Sequence, residues 1–391
     1  MADKSHNFIS RRAKNIPPSG IRKFFDLSEG VKDIISLGVG EPDYVTPWNI
    51  SDAAISSIRK GHTMYTSNYG LLELRQELSR HLYKLYGVGY DPDKEIIVTS
   101  GASEALDIAM RAIIDPGDEV IVGDPTYVAY IPCITMPGGI PVPVPTCMDD
   151  DFEMKASEIE KRITPKTKAI LLNNPNNPTG AVIKKDELLK IAALVKEHNL
   201  VVISDEIYDQ LVYDGAHTCF ASLPGMKTHT ITIGGFSKSY AMTGWRVGYI
   251  CAPDEIIEAI MKIHQYIMMC APIMSQIGAI EALKNGDDTV AEMVADYNRR
   301  RRTIVAGLNN IGLECHDPKG AFYAFPSITS TGLTCDEFAE KLLVEQHVVV
   351  VPGTVFGQCG AGHVRCCYAV ALPDIEEALV RMGRFVKKYG G

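Results

Sequence analysis

Residues 200–210 read LVVISDEIYDQ, and the run LVVIS would be apolar on both faces of a strand. A strand with two apolar faces is typical of a parallel sheet that helices cover on both sides. Asp205 ends this run, and Tyr208 lies three residues further on. Because ligands of open α/β sheets bind beyond the carboxyl ends of the strands, the stretch predicts a fold class and also the edge of the sheet where a site lies.

Similar apolar runs precede this one, and each is followed by a segment with helical periodicity. The pairs are EIIVTS (95–100) with SEALDIAMRAI (103–113), DEVIVG (118–123) with PTYVAYIPCI (125–134), and KAILLNN (168–174) with KKDELLKIAALVKEHN (184–199). This alternation predicts an open α/β sheet. Later segments are long helices and then short strands in GAFYAFP, HVVVVPG and HVRCCYAV, closed by the helix LPDIEEALVRMGRFVKK. They predict a smaller α+β domain.

Composition excludes several classes of function. The 391 residues carry a net charge of −9 without a basic stripe, so we expect no nucleic-acid partner. No apolar run reaches the roughly 18 to 20 residues that cross a bilayer, and the N-terminus lacks the apolar stretch of a secretory signal, so we expect a cytoplasmic protein without a membrane partner. The ten cysteines are scattered, which argues against a metal site and disulfides and favours reduced thiols in the core.

The strongest chemical signal is GGFSKSYAMTGWRVGY, residues 234–249. Lys238 follows the apolar run TITIG, stands between two serines and precedes Arg246 by eight residues. Most lysines are solvated surface charges. A partly desolvated lysine near another cation loses its proton more readily, so it can attack an aldehyde and form a Schiff base. Arg246 can hold a phosphate.

This segment resembles the cofactor-lysine motif of the class I aminotransferases, which belong to the pyridoxal 5′-phosphate (PLP) enzymes of fold type I. The resemblance implies a mostly parallel seven-stranded sheet between helices, plus a smaller α+β domain. It divides the chain into an N-terminal arm with part of the small domain (1–45), a large PLP-binding domain (46–285) and a small C-terminal domain (286–391). It also implies that Lys238 forms the Schiff base and carries the proton in catalysis.

The resemblance assigns the other cofactor contacts. Asp205 is expected to pair with the protonated pyridine nitrogen and Tyr208 to donate to the ring O3′, although Asp205 alone could be a turn cap. Asn177 in NNPNNPTG is expected to be a second donor to O3′, close to the substrate. The phosphate is expected to bind the residues of a strand-to-helix turn and two others, namely Ala102, Ser103, Ser237 and Arg246. Tyr127 would stack on the ring, with a core tyrosine as the alternative.

Substrate and partner contacts follow in the same way. Arg365 in HVRCCYAV matches the arginine that clamps the substrate α-carboxylate, and the backbone of Gly40 matches a second contact. Tyr65 matches a tyrosine that reaches the phosphate of a neighbouring subunit, which implies a homodimer with shared active sites. Tyr127 and Asn177 also border the substrate.

The chain most resembles the archaeal and bacterial aspartate or aromatic aminotransferases, through PPSGIRKFFDLSEGVKDIISLGVGEPD (17–43) and GAFYAFP (320–326). Some aspartate-using relatives have a lysine where Ser103 stands, so we expect a substrate that is not strictly acidic. Met268, Met269 and Pro272 are expected to line the side-chain pocket, with plain core as the alternative.

The expected reaction is transfer of the amino group of an L-amino acid to a 2-oxo acid such as 2-oxoglutarate, by ping-pong kinetics. One alternative is a β-lyase that cleaves C–S bonds on the same scaffold, because a fold does not fix the reaction. It would release pyruvate and ammonia without an acceptor. An alternative of another class is a PLP-sensing regulator. Such proteins carry an added DNA-binding module, and only about forty residues precede Gly40, too few for one more folded domain.

Overall fold

The computed structural model describes residues 8–18, 20–21 and 33–390. Part of the expected N-terminal arm, and part of the segment 17–43, therefore lies outside the described residues. The strands are β1 (Ile35–Ser36), β2 (Ile96–Thr99), β3 (Glu119–Asp124), β4 (Ile140–Pro145), β5 (Thr167–Asn173), β6 (Val201–Asp205), β7 (Thr230–Gly235), β8 (Gly248–Cys251), β9 (Tyr323–Ala324), β10 (Val348–Val349), β11 (Val351–Pro352) and β12 (Val364–Cys367).

The helices alternate with these strands in the first part of the chain and dominate the second. They are α1 (Arg11–Asn15), α2 (Trp48–Arg59), α3 (Leu72–Tyr86), α4 (Ala102–Ile113), α5 (Tyr130–Thr135), α6 (Ala156–Glu160), α7 (Lys185–Glu197), α8 (Asp254–Ile267), α9 (Ile273–Asn285), α10 (Asp287–Asn310), α11 (Cys335–Gln346) and α12 (Leu372–Tyr389). Each apolar run of the sequence analysis forms a strand, and α5 is shorter than its segment suggested.

In the part of the chain that the structure describes, the central sheet has seven strands in the order β2-β8-β7-β6-β5-β3-β4. Every neighbouring pair is parallel except those that involve β8, which is antiparallel to β2 and to β7. The expectation of a mostly parallel seven-stranded sheet is confirmed. The carboxyl ends of β5 and β6 lie side by side, with Asn173 paired to Asp205.

Helices cover both faces of this sheet, as the two-sided apolar run of β6 requires. Ile203 packs in one buried cluster with residues of α4 and α8, whereas its neighbour Val202 packs in another with residues of α6 and α7. Both side chains are fully buried. Successive side chains of a strand point to opposite faces, so the run LVVIS fills two cores at once.

The C-terminal part of the chain, from α10 onward, forms the α+β layer that its sequence predicted. Strands β11, β12 and β9 form an antiparallel sheet in that order, and β10 pairs in parallel with β1. Residues of α10, α11 and α12 bury their apolar sides in the same core. Strand β12 carries Arg365 opposite Val351, and the side chain of Arg365 is buried.

The expectation that the cysteines are core thiols is only partly correct. All ten are free, but Cys147 is exposed and Cys270 and Cys359 are half-buried. These three lie in connections between regular elements, where less packing surrounds a side chain. Among the described residues, no helix is long and apolar enough to span a membrane.

Candidate active site

A cavity of about 370 Å³ opens at the carboxyl edge of the central sheet, where the sequence predicted a site. A pocket of this size suits a small organic ligand. Its lining includes eleven residues that the sequence analysis named: Gly40, Ala102, Ser103, Tyr127, Asn177, Asp205, Tyr208, Ser237, Lys238, Arg246 and Arg365. Residues from both halves of the chain therefore meet in one cavity.

Lys238 follows β7 and extends its amine into this cavity. Its Nζ donates a 2.6 Å hydrogen bond to the carbonyl oxygen of Gly40 and lies 5.9 Å from the ring centre of Tyr208. Burial is the main cause that lowers the pKa of Lys238, the positive charges of Arg365 and Arg246 add to it, Cys367 and Glu41 oppose it, and the resulting pKa is about 8. Near neutral pH a useful fraction of this amine is uncharged, as a nucleophile requires.

Asp205 ends β6 and is buried. Its Oδ2 accepts a 2.6 Å hydrogen bond from the hydroxyl of Tyr130, and its Oδ1 accepts the N–H of Ile207 at 3.2 Å. Burial raises the pKa of Asp205 to about 6, although the Tyr130 and Ile207 hydrogen bonds oppose this. The contact with Ile207 is the turn cap that was the alternative for Asp205, and the cap leaves the carboxylate at the cavity wall.

Tyr208 and Asn177 occupy the wall between Lys238 and Arg365. The hydroxyl of Tyr208 lies 2.7 Å from that of Tyr323. Asn177 accepts a 2.9 Å hydrogen bond at Oδ1 from Nη1 of Arg365, which leaves its amide N–H groups to donate. The loop of Asn177 is a turn, as its sequence suggested, because Gly180 has a positive φ of 72°.

Arg365 is held rigidly from several directions. Its Nη2 donates to the carbonyl oxygen of Gly38 at 2.7 Å, and its guanidinium lies 4.5 Å from the ring centre of Tyr323 and 4.9 Å from that of Phe356. Its Nε is buried and has no partner among the described residues. A buried unpaired donor is rare unless a ligand completes its hydrogen bonds.

The turn 100–103 leads from β2 into α4, whose first N–H groups have no acceptor within the helix. Gly101 has a φ of 81°, and a Cβ there would lie 2.7 Å from Nη2 of Arg246. A Cβ on Gly248 would lie 2.7 Å from the backbone nitrogen of Ala102. Two glycines thus let a guanidinium and a neighbouring strand approach a helix N-terminus, an arrangement that binds anions.

Four of the named residues lie elsewhere. Tyr65 is 81% exposed and is not among the residues that line the cavity of its own chain. Met268 and Met269 are 40% and 44% exposed, so they are not core residues, and neither they nor Pro272 line the cavity within this chain. The alternative that the two methionines are plain core is wrong, and the expectation that the three residues line the side-chain pocket stays a prediction.

The sequence matches the family model of aminotransferase class I and II over residues 32–382. The chain belongs to this aminotransferase family. It is 44% identical to an aspartate aminotransferase of Pyrococcus abyssi, with 97% of this chain and 98% of the relative covered. It is 43% identical to aromatic-amino-acid aminotransferase 2 of Thermococcus litoralis, with coverage of 97% and 98%. An aromatic aminotransferase structure from Pyrococcus horikoshii matches with a TM-score of 0.90 and 45% identity, covering 94% of this chain and 99% of that one.

This aminotransferase is a PLP-dependent enzyme that transfers amino groups between amino acids and 2-oxo acids. The cavity fits the cofactor. A buried carboxylate stands at one wall, a lysine with a lowered pKa at another, and an anion-binding turn with Arg246 at a third. These are the partners that a pyridine nitrogen, an aldehyde and a phosphate need.

Two residues of the aminotransferase site were missed by the sequence analysis. Tyr130 lies three residues after Tyr127, and Tyr323 lies within the quoted segment GAFYAFP, so both were in view. The i, i+3 spacing from Tyr127 could have suggested that Tyr130 faces the same region. Tyr323 had no local signal, because its partners Tyr208 and Arg365 come from distant parts of the chain.

Proposed function

We propose that Lys238 is the amine that would hold PLP by condensing with its aldehyde, with loss of water, and that, once the substrate amine has taken its place, the freed Lys238 amine would carry the proton during amino transfer. The observation that supports this most is the pairing of Lys238, whose pKa burial lowers to about 8, with buried Asp205 in one cavity. When bound, PLP supplies an electron sink for the charge that forms at the substrate Cα.

In this proposal, different side chains around the cavity bind different groups of the cofactor. Asp205, held by Tyr130, binds the pyridine nitrogen, while Tyr208 and Asn177 donate to the ring O3′. Tyr127 covers one face of the ring. The phosphate is bound by the backbone N–H groups of Ala102 and Ser103 and by the side chains of Ser103, Ser237 and Arg246.

Lys238 acts as general base and then as general acid. Its freed Nζ would accept the proton from the substrate Cα and deliver it to C4′ of the cofactor. The 2.6 Å hydrogen bond to the Gly40 carbonyl keeps the amine at the substrate side of the cavity. Because the same proton transfers run backwards with a 2-oxo acid, the two half-reactions give ping-pong kinetics.

Arg365 binds the α-carboxylate of the substrate. Its guanidinium is fixed by Asn177 and Gly38, and the rings of Tyr323 and Phe356 lie beside it. A bidentate contact from a fixed guanidinium orients the Cα–H bond toward the base. The Gly40 backbone provides a second contact to this carboxylate.

We further propose that the amino donor is not restricted to acidic amino acids, with 2-oxoglutarate as the acceptor. Within the described ranges, the cations in the cavity lining are Lys238, Arg246 and Arg365, and each has a role above. Ser103 adds no charge for a distal carboxylate. Ile21, Val39 and Tyr127 provide apolar and aromatic surface instead.

In this proposal the active enzyme is a homodimer. Each subunit consists of an N-terminal arm with part of the small domain (1–45), a large PLP-binding domain (46–285) and a small C-terminal domain (286–391). Exposed Tyr65, which is not among the described lining residues of its own cavity, reaches the cofactor phosphate of the partner subunit. The exposed apolar side chains of Met64, Tyr266 and Ile267 favour surface that a partner subunit covers. The ten free cysteines support a reducing, cytoplasmic location.

A panel of amino acids tests the proposal in single half-reactions. Purified enzyme is mixed with one amino acid at a time, and the conversion of bound PLP to its amine form is followed by absorbance. We expect conversion with aromatic as well as acidic donors, reversal by 2-oxoglutarate, and loss of both in Lys238→Ala. Release of pyruvate and ammonia without an acceptor, or full turnover in Lys238→Ala, would contradict the proposal.

A further inference from the structure

A half-buried carboxylate lies next to the phosphate-binding turn and has no part in the mechanism above. Glu104 is the third residue of α4, and its side chain is 10% exposed. Its Oε2 accepts the N–H of Ser100 at 2.5 Å, and its Oε1 lies 2.6 Å from Nδ1 of His264. The carboxylate thus bridges the turn 100–103 and α8.

His264 is fully buried near the end of α8. An ionised carboxylate can only accept hydrogen bonds, so Nδ1 of His264 is the donor to Glu104. Its Nε2 has no partner among the described residues. The hydrogen bond to Glu104 is the one polar contact of the buried His264 ring among the described residues. A hydrocarbon side chain could fill the same space but could not make this hydrogen bond.

The turn that Glu104 holds has little freedom to move. Gly101, with its φ of 81°, lies against the guanidinium of Arg246 on one side, and Ala102 lies against Gly248 on the other. A shift of a few tenths of an ångström at Ser100 would move the N–H groups of Ala102 and Ser103 relative to a bound phosphate. Hydrogen bonds weaken steeply when distance and angle leave their optimum.

The position of Glu104 also creates a competitor for the phosphate. An acidic side chain in the first turn of a helix is attracted by the same N-terminal partial charge that attracts an anion. Unrestrained glutamates at this third position reach back to the N–H at the start of the helix. His264 instead keeps the Glu104 carboxylate on the N–H of Ser100, one residue before the N-cap residue Gly101.

We propose that Glu104 and His264 are positioning residues for the cofactor phosphate: His264 holds the Glu104 carboxylate on the Ser100 N–H, and this contact fixes the turn that binds the phosphate. The inference rests on the proposed function, in which Ala102, Ser103 and Arg246 bind that group. Neither positioning residue touches the cofactor.

The test compares the binding of PLP and of pyridoxal, which lacks the phosphate, to full-length protein freed of cofactor. The ratio of the two dissociation constants measures the phosphate contribution alone. We expect His264→Phe and Glu104→Ala each to lower this preference for PLP at least tenfold, with little change in pyridoxal binding. His264→Asn keeps a donor near Nδ1, and we expect it to retain most of the preference.

A double variant tests the order of the two contacts. If His264 acts by holding Glu104, then His264→Phe has no further effect on the preference once Glu104→Ala is present. The phosphorus-31 NMR signal of bound PLP should shift and broaden in His264→Phe and return toward its original position in His264→Asn.

Arg246→Ala separates this inference from the proposed function. An unchanged preference in Arg246→Ala would mean that the phosphate binds elsewhere, and both would fail. If Arg246→Ala lowers the preference while Glu104→Ala and His264→Phe leave it within twofold, or weaken PLP and pyridoxal equally, the positioning role alone is wrong.

Discussion

The hydroxyl of Tyr130 donates a 2.6 Å hydrogen bond to Oδ2 of Asp205, and both side chains are buried. Burial favours the neutral form of Asp205, whereas the hydrogen bond favours the carboxylate. Tyr130 therefore helps to keep charged the group that is proposed to bind the pyridine nitrogen.

Tyr130→Phe is expected to raise the pKa of Asp205 above its value of about 6. Since the folded pKa exceeds the ordinary value of 3.8, the folded protein without cofactor loses stability as the pH rises from 3.8 through about 6. In Tyr130→Phe this loss should extend to higher pH and grow by about 1 to 3 kcal/mol. Urea unfolding between pH 4.5 and 8 measures it. Asp205→Asn is the control, in which the loss of stability with pH should vanish. If the free energy of unfolding depends on pH in the same way in Tyr130→Phe and in the original protein, the effect is refuted.

Arg365→Lys is expected to lower kcat/KM by roughly 30-fold or more for every amino acid. Lysine keeps the charge but cannot reproduce the fork that Asn177 and Gly38 orient. Steady-state kinetics with one aromatic and one acidic donor measures the effect. Arg111→Lys, at an exposed ion pair with Asp107, is the matched control and should change nothing. If kcat/KM falls only for the acidic donor, Arg365 binds the side-chain carboxylate of the substrate and not its α-carboxylate.

The rate at which PLP bonds to cofactor-free protein should rise with pH and level off above about pH 8.5. Burial lowers the pKa of Lys238 to about 8, so its amine is mostly uncharged beyond that point. Stopped-flow absorbance gives the profile. Because the carboxylate of Glu41 raises this pKa, Glu41→Gln should move the midpoint to lower pH. A rate that continues to rise to pH 10.5 would mean that Lys238 behaves as a solvated lysine.

Mixed dimers test the proposed role of Tyr65. Tyr65→Ala and Lys238→Ala subunits are co-expressed, and activity is measured without added PLP. A mixed dimer has one site with both native residues, so random mixing should give about a quarter of the original activity. Each variant alone should fall far below that level. If the activity of the mixture is no higher than the mean of the Tyr65→Ala and Lys238→Ala homodimers, Tyr65 does not contribute to the active site of the partner subunit.

The sequence predicted those features that short contiguous motifs encode. The run LVVIS gave a two-sided strand, and strand ends carry Asp205, Asn177 and Lys238 to one edge because parallel strands end together. The contacts that tune these residues were not predictable in the same way. Tyr130 and Asp205 are 75 residues apart, and Glu104 and His264 are 160 apart.

The solvent exposure of individual side chains was the other feature that local sequence patterns did not predict. Met268 and Met269 have apolar side chains near a helix end, which is compatible with a core, a pocket or a covered surface. Only the path of the chain between α8 and α9 decides among these, and it leaves both methionines on the surface.

Reduction of the PLP-loaded enzyme with borohydride, followed by peptide mapping, tests the central claim most directly. We predict that the cofactor becomes fixed to one peptide, at Nζ of Lys238, and that Lys238→Ala yields no labelled peptide while still binding PLP reversibly. Labelling at another lysine, or none in the original protein, would contradict the account of this site.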